Sequence, residues 1–250
     1  MLEAVPGGFE FAVRDFALVT IAHRLTVSFP GQLVFKGGFV LRHVHGHLRL
    51  SKDIDATQST LQSESLNASM LADAIRAAGI QNVLRFAPGA PATDSANSLD
   101  FDRIRVTGEA FPPSEVQVEV SFREAVVEPP VYRDIGGPYY EPFEILTMRP
   151  AEMCAEKIRA LTQRLRATDL ADLAVLMRDN EFDDHALASL VAEKFRLVRR
   201  GSVNRIQRLD RNLRELAESY DDVIGQVFPG APSYGDAMQI VRPRIGRVLR

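Results

Sequence analysis

The chain has 250 residues, 46% of them hydrophobic and 25% charged, the proportions of an ordinary globular protein, which excludes disordered, collagen-like and low-complexity classes. It nowhere holds the roughly 18–20 consecutive apolar residues of a membrane span, and its start, with Glu3, Glu10 and Asp15, lacks the basic run and apolar stretch of a signal peptide. A single cysteine, Cys154, excludes an internal disulfide and a zinc-finger framework, so a soluble cytoplasmic protein is expected.

In chain order, the spacing of Phe16, Val19, Ala22 (or His23) and Thr26 predicts a helix over 9–29, which Pro30-Gly31 ends. Leu33-Val34-Phe35 reads as a short strand running into Lys36-Gly37-Gly38. A brief helix over 39–44 and a strand over 52–57 follow. Ser63 is placed to cap a helix over 64–78 that turns Leu66, Met70, Ile75 and Ala78 inward and ends at Gly79. Residues 87–98, rich in Pro, Ala and Ser, read as a loop, and residues 101–108 as a strand. In the next strand, Val116, Val118, Val120 and Phe122 alternate with Gln117, Glu119 and Ser121, which gives one buried face and one open to solvent or a cleft.

From Pro150 the pattern is helical. Cys154, Ile158, Leu161 and Leu165 form the apolar stripe of a first helix, with Cys154 as a small core residue. Thr168 is placed to cap a second, carrying Leu170, Leu173, Leu176 and Met177. Asp183 is placed to cap a third, with Leu187, Leu190, Val191, Lys194 and Val198 on one side. A fourth, near 204–219, packs Ile206, Leu209, Leu213 and Leu216. A mixed α/β first half and a helical second half are expected, divided between Tyr139 and Pro150. The net charge of −3 divides too: residues 1–150 hold 13 basic and 18 acidic side chains, residues 151–250 hold 17 and 15. Lys194, Arg196, Arg199, Arg200, Arg205, Arg208, Arg211 and Arg214 form a basic block broken only by Asp210. It is either a nucleic-acid footprint or a solvated helix face.

The chemistry concentrates in Lys36-Gly37-Gly38 and in Arg49-Leu50-Ser51-Lys52-Asp53-Ile54-Asp55. Asp53 and Asp55, two apart on a strand, point to one face while Ile54 points into the sheet. Like charges held that close repel, and a cation between them relieves the repulsion. Oxygen donors without a His or Cys pattern favour Mg²⁺ or Mn²⁺, which keeps positions open for substrate phosphates. Gly37 and Gly38, at a strand-to-helix turn, let backbone N–H groups approach a phosphate, and Arg49 and Ser51 add contacts. His43, His45 and His47 alternate, but in a stretch expected to bend, so a loop or rim role is expected for them rather than zinc binding.

The stretch FKGGFVLRHVHGHLRLSKDIDAT resembles the first motif of the AbiEii-type nucleotidyltransferase toxins, which include the mycobacterial MenT toxins: a Gly-Gly turn, a spacer, then Arg-x-Ser-x-Asp-hydrophobic-Asp. A second match runs from Met153 through Ala155-Glu156-Lys157 to Arg166-Ala167-Thr168-Asp169-Leu170-Ala171-Asp172-Leu173. It departs at Thr168, where many relatives carry Arg, so that one basic contact to phosphate is either missing or supplied by Arg164 or Arg166. The resemblance implies an α+β fold, with a polymerase-beta-like nucleotidyltransferase core of mixed sheet over residues 1–145 and a helical domain over 146–250 that completes the active site. It implies that Asp53 and Asp55 bind metal, that Ser51 touches the triphosphate, and that Lys157 and Asp169 act from the helical side. Enzymes of this fold commonly add a third carboxylate from a later strand, and Glu119 on the polar face is the candidate. Taken alone, Lys157 reads as a surface lysine and Asp169 as a dipole-stabilised first-turn carboxylate.

The activity this implies is Mg²⁺-dependent transfer of a nucleoside monophosphate from a nucleoside triphosphate to the tRNA 3′ end, arresting translation and growth. A cognate antitoxin is the expected partner, and no membrane is involved. The alternatives are nucleotidylation of a protein hydroxyl and a nucleotide-binding regulator without catalysis. Retention of Asp53, Asp55, Lys157 and Asp169 argues against the regulator.

Overall fold

In a computed structural model of the chain, residues 8–59, 66–123, 125–137, 140–197 and 205–249 are described. The chain forms two compact units: Met1–Val126 with Pro130–Met148, and Val127–Pro129 with Arg149–Arg250. The first unit is built on a sheet of order β3-β5-β6-β2-β1-β8-β7, with β4 paired to β5. Its strands are β1 (Leu33–Lys36), β2 (Asp53–Gln58), β3 (Arg85–Pro88), β4 (Thr93–Asp94), β5 (Ser98–Thr107), β6 (Ser114–Ser121), β7 (Val131–Gly137) and β8 (Tyr140–Thr147). The β1–β8 and β2–β6 pairs are parallel and the rest antiparallel, the mixed sheet of an α+β fold.

Helix α1 (Gly8–Ser28) packs on β2, β6, β8 and on α3 (Ala68–Ala77). Its buried stripe runs through Leu18, Ile21, Ala22 and Leu25, while Phe16 and Thr26 are only half-buried, so the core-facing side is rotated from the expected one. Ser63 lies outside the described residues. The helix that follows begins at Ala68, with Asn67 accepting the Met70 N–H at 3.1 Å, a shorter helix than expected that leaves Met70 exposed. The stretch expected as a loop holds the end of β3 and all of β4. Both are short edge strands held by hydrogen bonds to β5, with no alternation for sequence to report. Val116, Val118 and Val120 are fully buried as expected, and Phe122 lies just past the end of β6, half-buried.

The second unit is helical: α4 (Pro150–Gln163), α5 (Ala167–Asp179), α6 (Asp184–Leu197), α7 (Arg205–Leu216), α8 (Tyr220–Val227) and α9 (Tyr234–Val248). Pro150 begins α4, where its missing N–H costs nothing. Cys154, Ile158 and Leu161 are fully buried, whereas Leu165 lies beyond the helix end and is 47% exposed. Burial pushes the Cys154 thiol well above its usual range, which suits an inert core residue. Thr168 sits inside the first turn of α5, after Arg166 at the N-cap, so it does not cap that helix. Asp183 does cap α6, accepting the Ala186 N–H at 2.7 Å. The buried face of α7 holds Leu209, Leu213 and Leu216, and Asn212 Nδ2 donates to Leu161 O at 2.7 Å, which turns Ile206 outward. Val198, Arg199 and Arg200 lie outside the described residues.

Candidate active site

In the first unit, β1 ends at Lys36 and the chain turns at once into α2 (Gly37–His43). Gly37 takes φ +71, a backbone conformation that favours glycine, and a Cβ there would stand 2.5 Å from Asp55 Oδ2 and push that carboxylate aside. A Cβ at Gly38 would stand 2.9 Å from Ser51 Oγ. The glycine turn, Ser51 and Asp55 are thus gathered in one place. Asp53 and Asp55 lie half-buried on one face of β2, while Ile54 and Ala56 are buried on the other. Ser51 Oγ donates to Asp53 Oδ1 at 2.5 Å, fixing that carboxylate, and Arg49, half-buried, donates to Leu50 O at 3.1 Å.

Strand register extends this polar face. Asp55 is flanked by Lys36 on β1 and Glu119 on β6, and Glu119 is flanked by Asp100 on β5. Asp100 is not singled out by sequence, although Asp100-Phe101-Asp102 repeats the carboxylate–apolar–carboxylate pattern of β2 and buries Phe101 likewise. Burial, reinforced by the charge of Asp102, raises the Asp100 carboxyl above its usual range. Among the described residues no group of three or more His, Cys, Asp or Glu side chains gathers closely enough to hold a metal ion. Glu119 is exposed beside Asp55 without forming such a group with the aspartate pair.

The histidines do not share a face. His43 ends α2 with its side chain 5% exposed, stacks on Phe39 with ring centroids 4.6 Å apart, and brings Nε2 to 3.1 Å from Asp15 Oδ1. Asp15 also accepts Arg42 at 2.7 and 3.1 Å. His43 is therefore a packed residue and not a rim one, while His45 and His47 lie in the segment between α2 and β2.

In the second unit, Lys157 on α4 and Asp169 on α5 meet: Lys157 Nζ lies 2.9 Å from Asp169 Oδ1 and 2.7 Å from Asp172 Oδ2. Arg164 grips Asp169 with both arms, Nε to Oδ2 at 2.7 Å and a terminal N–H to Oδ1 at 3.0 Å. Burial works against the charge of Asp169, but Lys157 and Arg164 outweigh it and hold the carboxyl far below its usual range. Burial likewise opposes the Lys157 charge, and Asp172 and Asp169 overcome it, so the ammonium stays protonated well above the ordinary lysine range. Lys157 is thus not the surface residue its position alone suggests. Asp172 has no role assigned from sequence, though its i,i+3 spacing from Asp169 puts both on one helix face.

The sequence profile described as nucleotidyl transferase AbiEii toxin, type IV toxin–antitoxin system, matches residues 21–248, and the chain belongs to that family. MenT4, a nucleotidyltransferase toxin of Mycobacterium tuberculosis, is 18% identical, with a TM-score of 0.71 over 96% of this chain and 84% of that one. JHP933 of Helicobacter pylori is 16% identical, with a TM-score of 0.61 over 95% of this chain and 91% of that one. At such identities the likeness is one of fold. A search of curated proteins returned no match. No helix among the described residues is long and apolar enough to cross a membrane.

A direct consequence concerns Gly37→Ala. Forcing an L side chain into the left-handed region costs about 1–2 kcal/mol, a modest fall in thermal stability. The new Cβ, 2.5 Å from Asp55 Oδ2, displaces that carboxylate, and if Asp55 serves the transfer proposed below, a shift of about 1 Å is expected to lower the rate on the order of 100-fold. Thermal melting and a transfer assay read the two effects separately.

Proposed function

We propose that this toxin transfers a nucleoside monophosphate from a nucleoside triphosphate to an RNA acceptor, the tRNA 3′ end. The observation that carries the reading is the gathering of Gly37, Ser51 and the Asp53/Asp55 pair, with Gly37 leaving open the space a Cβ would fill beside Asp55. Oxygen-only donors on one strand face fit Mg²⁺ or Mn²⁺, which Asp53 and Asp55 would hold. Bound there, the cation supplies charge neutralisation at the α-phosphate. Glu119 remains the candidate for a third carboxylate.

The chain's own residues do the rest. Gly37 and Gly38 let backbone N–H groups approach the phosphates, Ser51 orients Asp53 by its hydrogen bond, and Arg49 adds positive charge near the turn. Lys157, kept cationic by Asp169 and Asp172, offers charge to a phosphate and does not act as a base. In the reaction an acceptor hydroxyl releases its proton to solvent as its oxygen bonds to the α-phosphorus, the bond from that phosphorus to the β-bridging oxygen breaks, and pyrophosphate leaves. Positioning and electrostatics dominate in such chemistry. The acceptor and the resulting arrest of translation and growth rest on the resemblance to MenT-type toxins, as does a cognate antitoxin.

The test is incubation of the purified protein with total tRNA and each α-labelled nucleoside triphosphate. Label in tRNA is the expected result. Label in protein would favour protein nucleotidylation, and binding of triphosphate without any transfer would favour a regulator.

The basic helix bears on the acceptor. Arg208, Arg211 and Arg214 are exposed on α7, whereas Arg205 stacks on Phe195 with its guanidinium 4.0 Å from the ring centroid. Replacing the three exposed arginines by Gln is expected to weaken tRNA binding and to flatten its log–log salt slope by roughly 0.7–0.9 for each phosphate no longer neutralised. Triphosphate affinity should hold. An unchanged slope would assign these arginines to a solvated face.

A further inference from the structure

We propose that a cavity of the helical unit, between α6, α7 and α9, is a subsite for one unpaired nucleotide of an RNA strand, with the phosphate on Arg205 and the base against an apolar wall. The proposal rests on the RNA-acceptor reading above and adds a place on the chain to it. The cavity holds about 390 Å³, within the roughly 300–1,000 Å³ usual for small-molecule pockets. Ala188, Ala192 and Phe195 of α6 and Val248 of α9 give it apolar walls, and His185 of α6 adds a polar edge. Among the described residues lining it, Arg205 of α7 is the one permanent cation, and none carries a carboxylate.

Arg205 is unlike the other fixed arginines of this unit. Arg164 is paired with Asp169, and Arg244 and Arg247 share Asp184. The Arg205 Nε is shut away from solvent and donates to nothing, and its guanidinium forms no ion pair with a described residue. What holds it is the Phe195 ring, whose centroid lies 4.0 Å from the guanidinium carbon. A buried N–H without an acceptor is costly, and an anion in the cavity would supply that acceptor. Stacking on Phe195 fixes the plane of the guanidinium, and its fork of donors matches two oxygens of a phosphate.

The walls say what the anion must carry. Ala188 and Ala192, four residues apart on one face of α6, leave room that larger side chains would fill, and Phe195 and Val248 close the space with apolar surface. The ligand therefore joins a flat or apolar body to a phosphate-like charge, as an unstacked nucleotide does; a paired strand keeps its bases inside the helix. Charge outside the cavity selects RNA over an acidic peptide. Arg208, Arg211 and Arg214 follow Arg205 along α7 and are exposed, a repeated positive charge that suits the repeated phosphates of a strand.

The test uses the full-length protein and a short, unstructured, fluorescently labelled RNA, with two further arms: the same strand made abasic at one position at a time, and a peptide of Glu and Phe. Ala192 is exposed, so Ala192→Phe fills the cavity without entering the core. The expected result is that Ala192→Phe weakens RNA binding roughly tenfold, as loss of one stacked base does, with an unchanged melting curve. At least one abasic position weakens binding to the unaltered protein and has no further effect in Ala192→Phe. Arg205→Gln flattens the log–log salt slope by roughly 0.7, the share of one phosphate on a single strand.

Three results overturn the proposal: RNA affinity unchanged in Ala192→Phe, abasic strands that all bind as the intact one does, or a peptide that binds more tightly than RNA, which would make the cavity a protein-docking site. The first two decide the matter even where Arg205→Gln does not fold. If label reaches RNA in the transfer assay while Ala192→Phe binds normally, the subsite fails and the proposed function stands. If Ala192→Phe weakens RNA binding but label never enters RNA, the proposed function fails and the subsite stands.

Discussion

Asp53→Ala is expected to reduce nucleotidyl transfer on the order of 1,000-fold, the several kcal/mol that charge neutralisation at a phosphorus centre supplies, while the protein still folds. Both halves follow from the strand. Ile54 and Ala56, fully buried, carry the packing of β2, whereas Asp53 lies half-buried on the opposite face and contributes no apolar contact to the core. Its removal deprives Ser51 of the acceptor it holds at 2.5 Å and leaves Asp55 as the one aspartate on that face of β2. Lys52→Ala, one residue away and exposed, is the control and should transfer at the normal rate. The measurement is single-turnover transfer of label alongside thermal melting. An Asp53→Ala protein that retains a tenth of the activity would overturn the two-carboxylate reading.

The same alternation explains why this part of the molecule is legible in the sequence. Asp53-Ile54-Asp55 and Val116 to Val120 obey a period of two, and that period fixes which face each side chain takes before any tertiary contact is known. The strand register of Glu119 beside Asp55 is not legible, because it depends on β2 and β6 pairing across some 60 residues of chain. The β7–β8 pair escapes for a different reason. In β7 only Ile135 is buried, so no alternation marks it, and β8 begins with exposed residues. Helices α8 and α9 escape too: Gly235, Pro243, Gly246 and the arginines of α9 obscure a core face made of Ala237, Val241, Ile245 and Val248.

The Lys157–Asp169 cluster of the helical unit shows how far local spacing misleads. Lys157 and Asp169 lie on different helices, and spacing alone assigns each an ordinary surface role. Resemblance to a family names them together, and the fold then shows which side chains they touch. Arg164 pairs with Asp169, and Asp172 approaches Lys157 from one turn further along α5. By contrast, the sequence reads Lys194 two ways, on the apolar side of a helix and in the basic block, and the fold decides for the first. It falls four residues after Leu190 and three after Val191, on the apolar side of α6, yet its charge places it in the basic block.

Lys194→Ala is expected to destabilise the protein by roughly 3–5 kcal/mol, a fall in Tm on the order of 10 °C, and to leave the salt dependence of tRNA binding unchanged. The lysine is 1% exposed, so it offers nothing to a polyanion. Its Nζ lies 2.6 Å from Glu152 Oε1 and 3.0 Å from Glu156 Oε1. Glu152 is fully buried, and its two oxygens also accept the backbone N–H groups of Val127 at 2.7 Å and Glu128 at 3.0 Å. The carboxylate therefore ties α4 and α6 to the Val127–Pro129 segment, and Lys194 is the cation that compensates its charge. Truncation leaves that charge buried with backbone dipoles alone, which is the costly way to break such a pair. Lys194→Met, which restores volume without charge, should recover little. The result separates two accounts of the basic block. If Lys194→Ala keeps its Tm and flattens the salt slope as the α7 arginines should, the lysine is part of an RNA-facing surface. If it melts early with an unchanged slope, the footprint is confined to the arginines of α7, and the buried Glu152–Lys194 pair is a fastening of the helical unit.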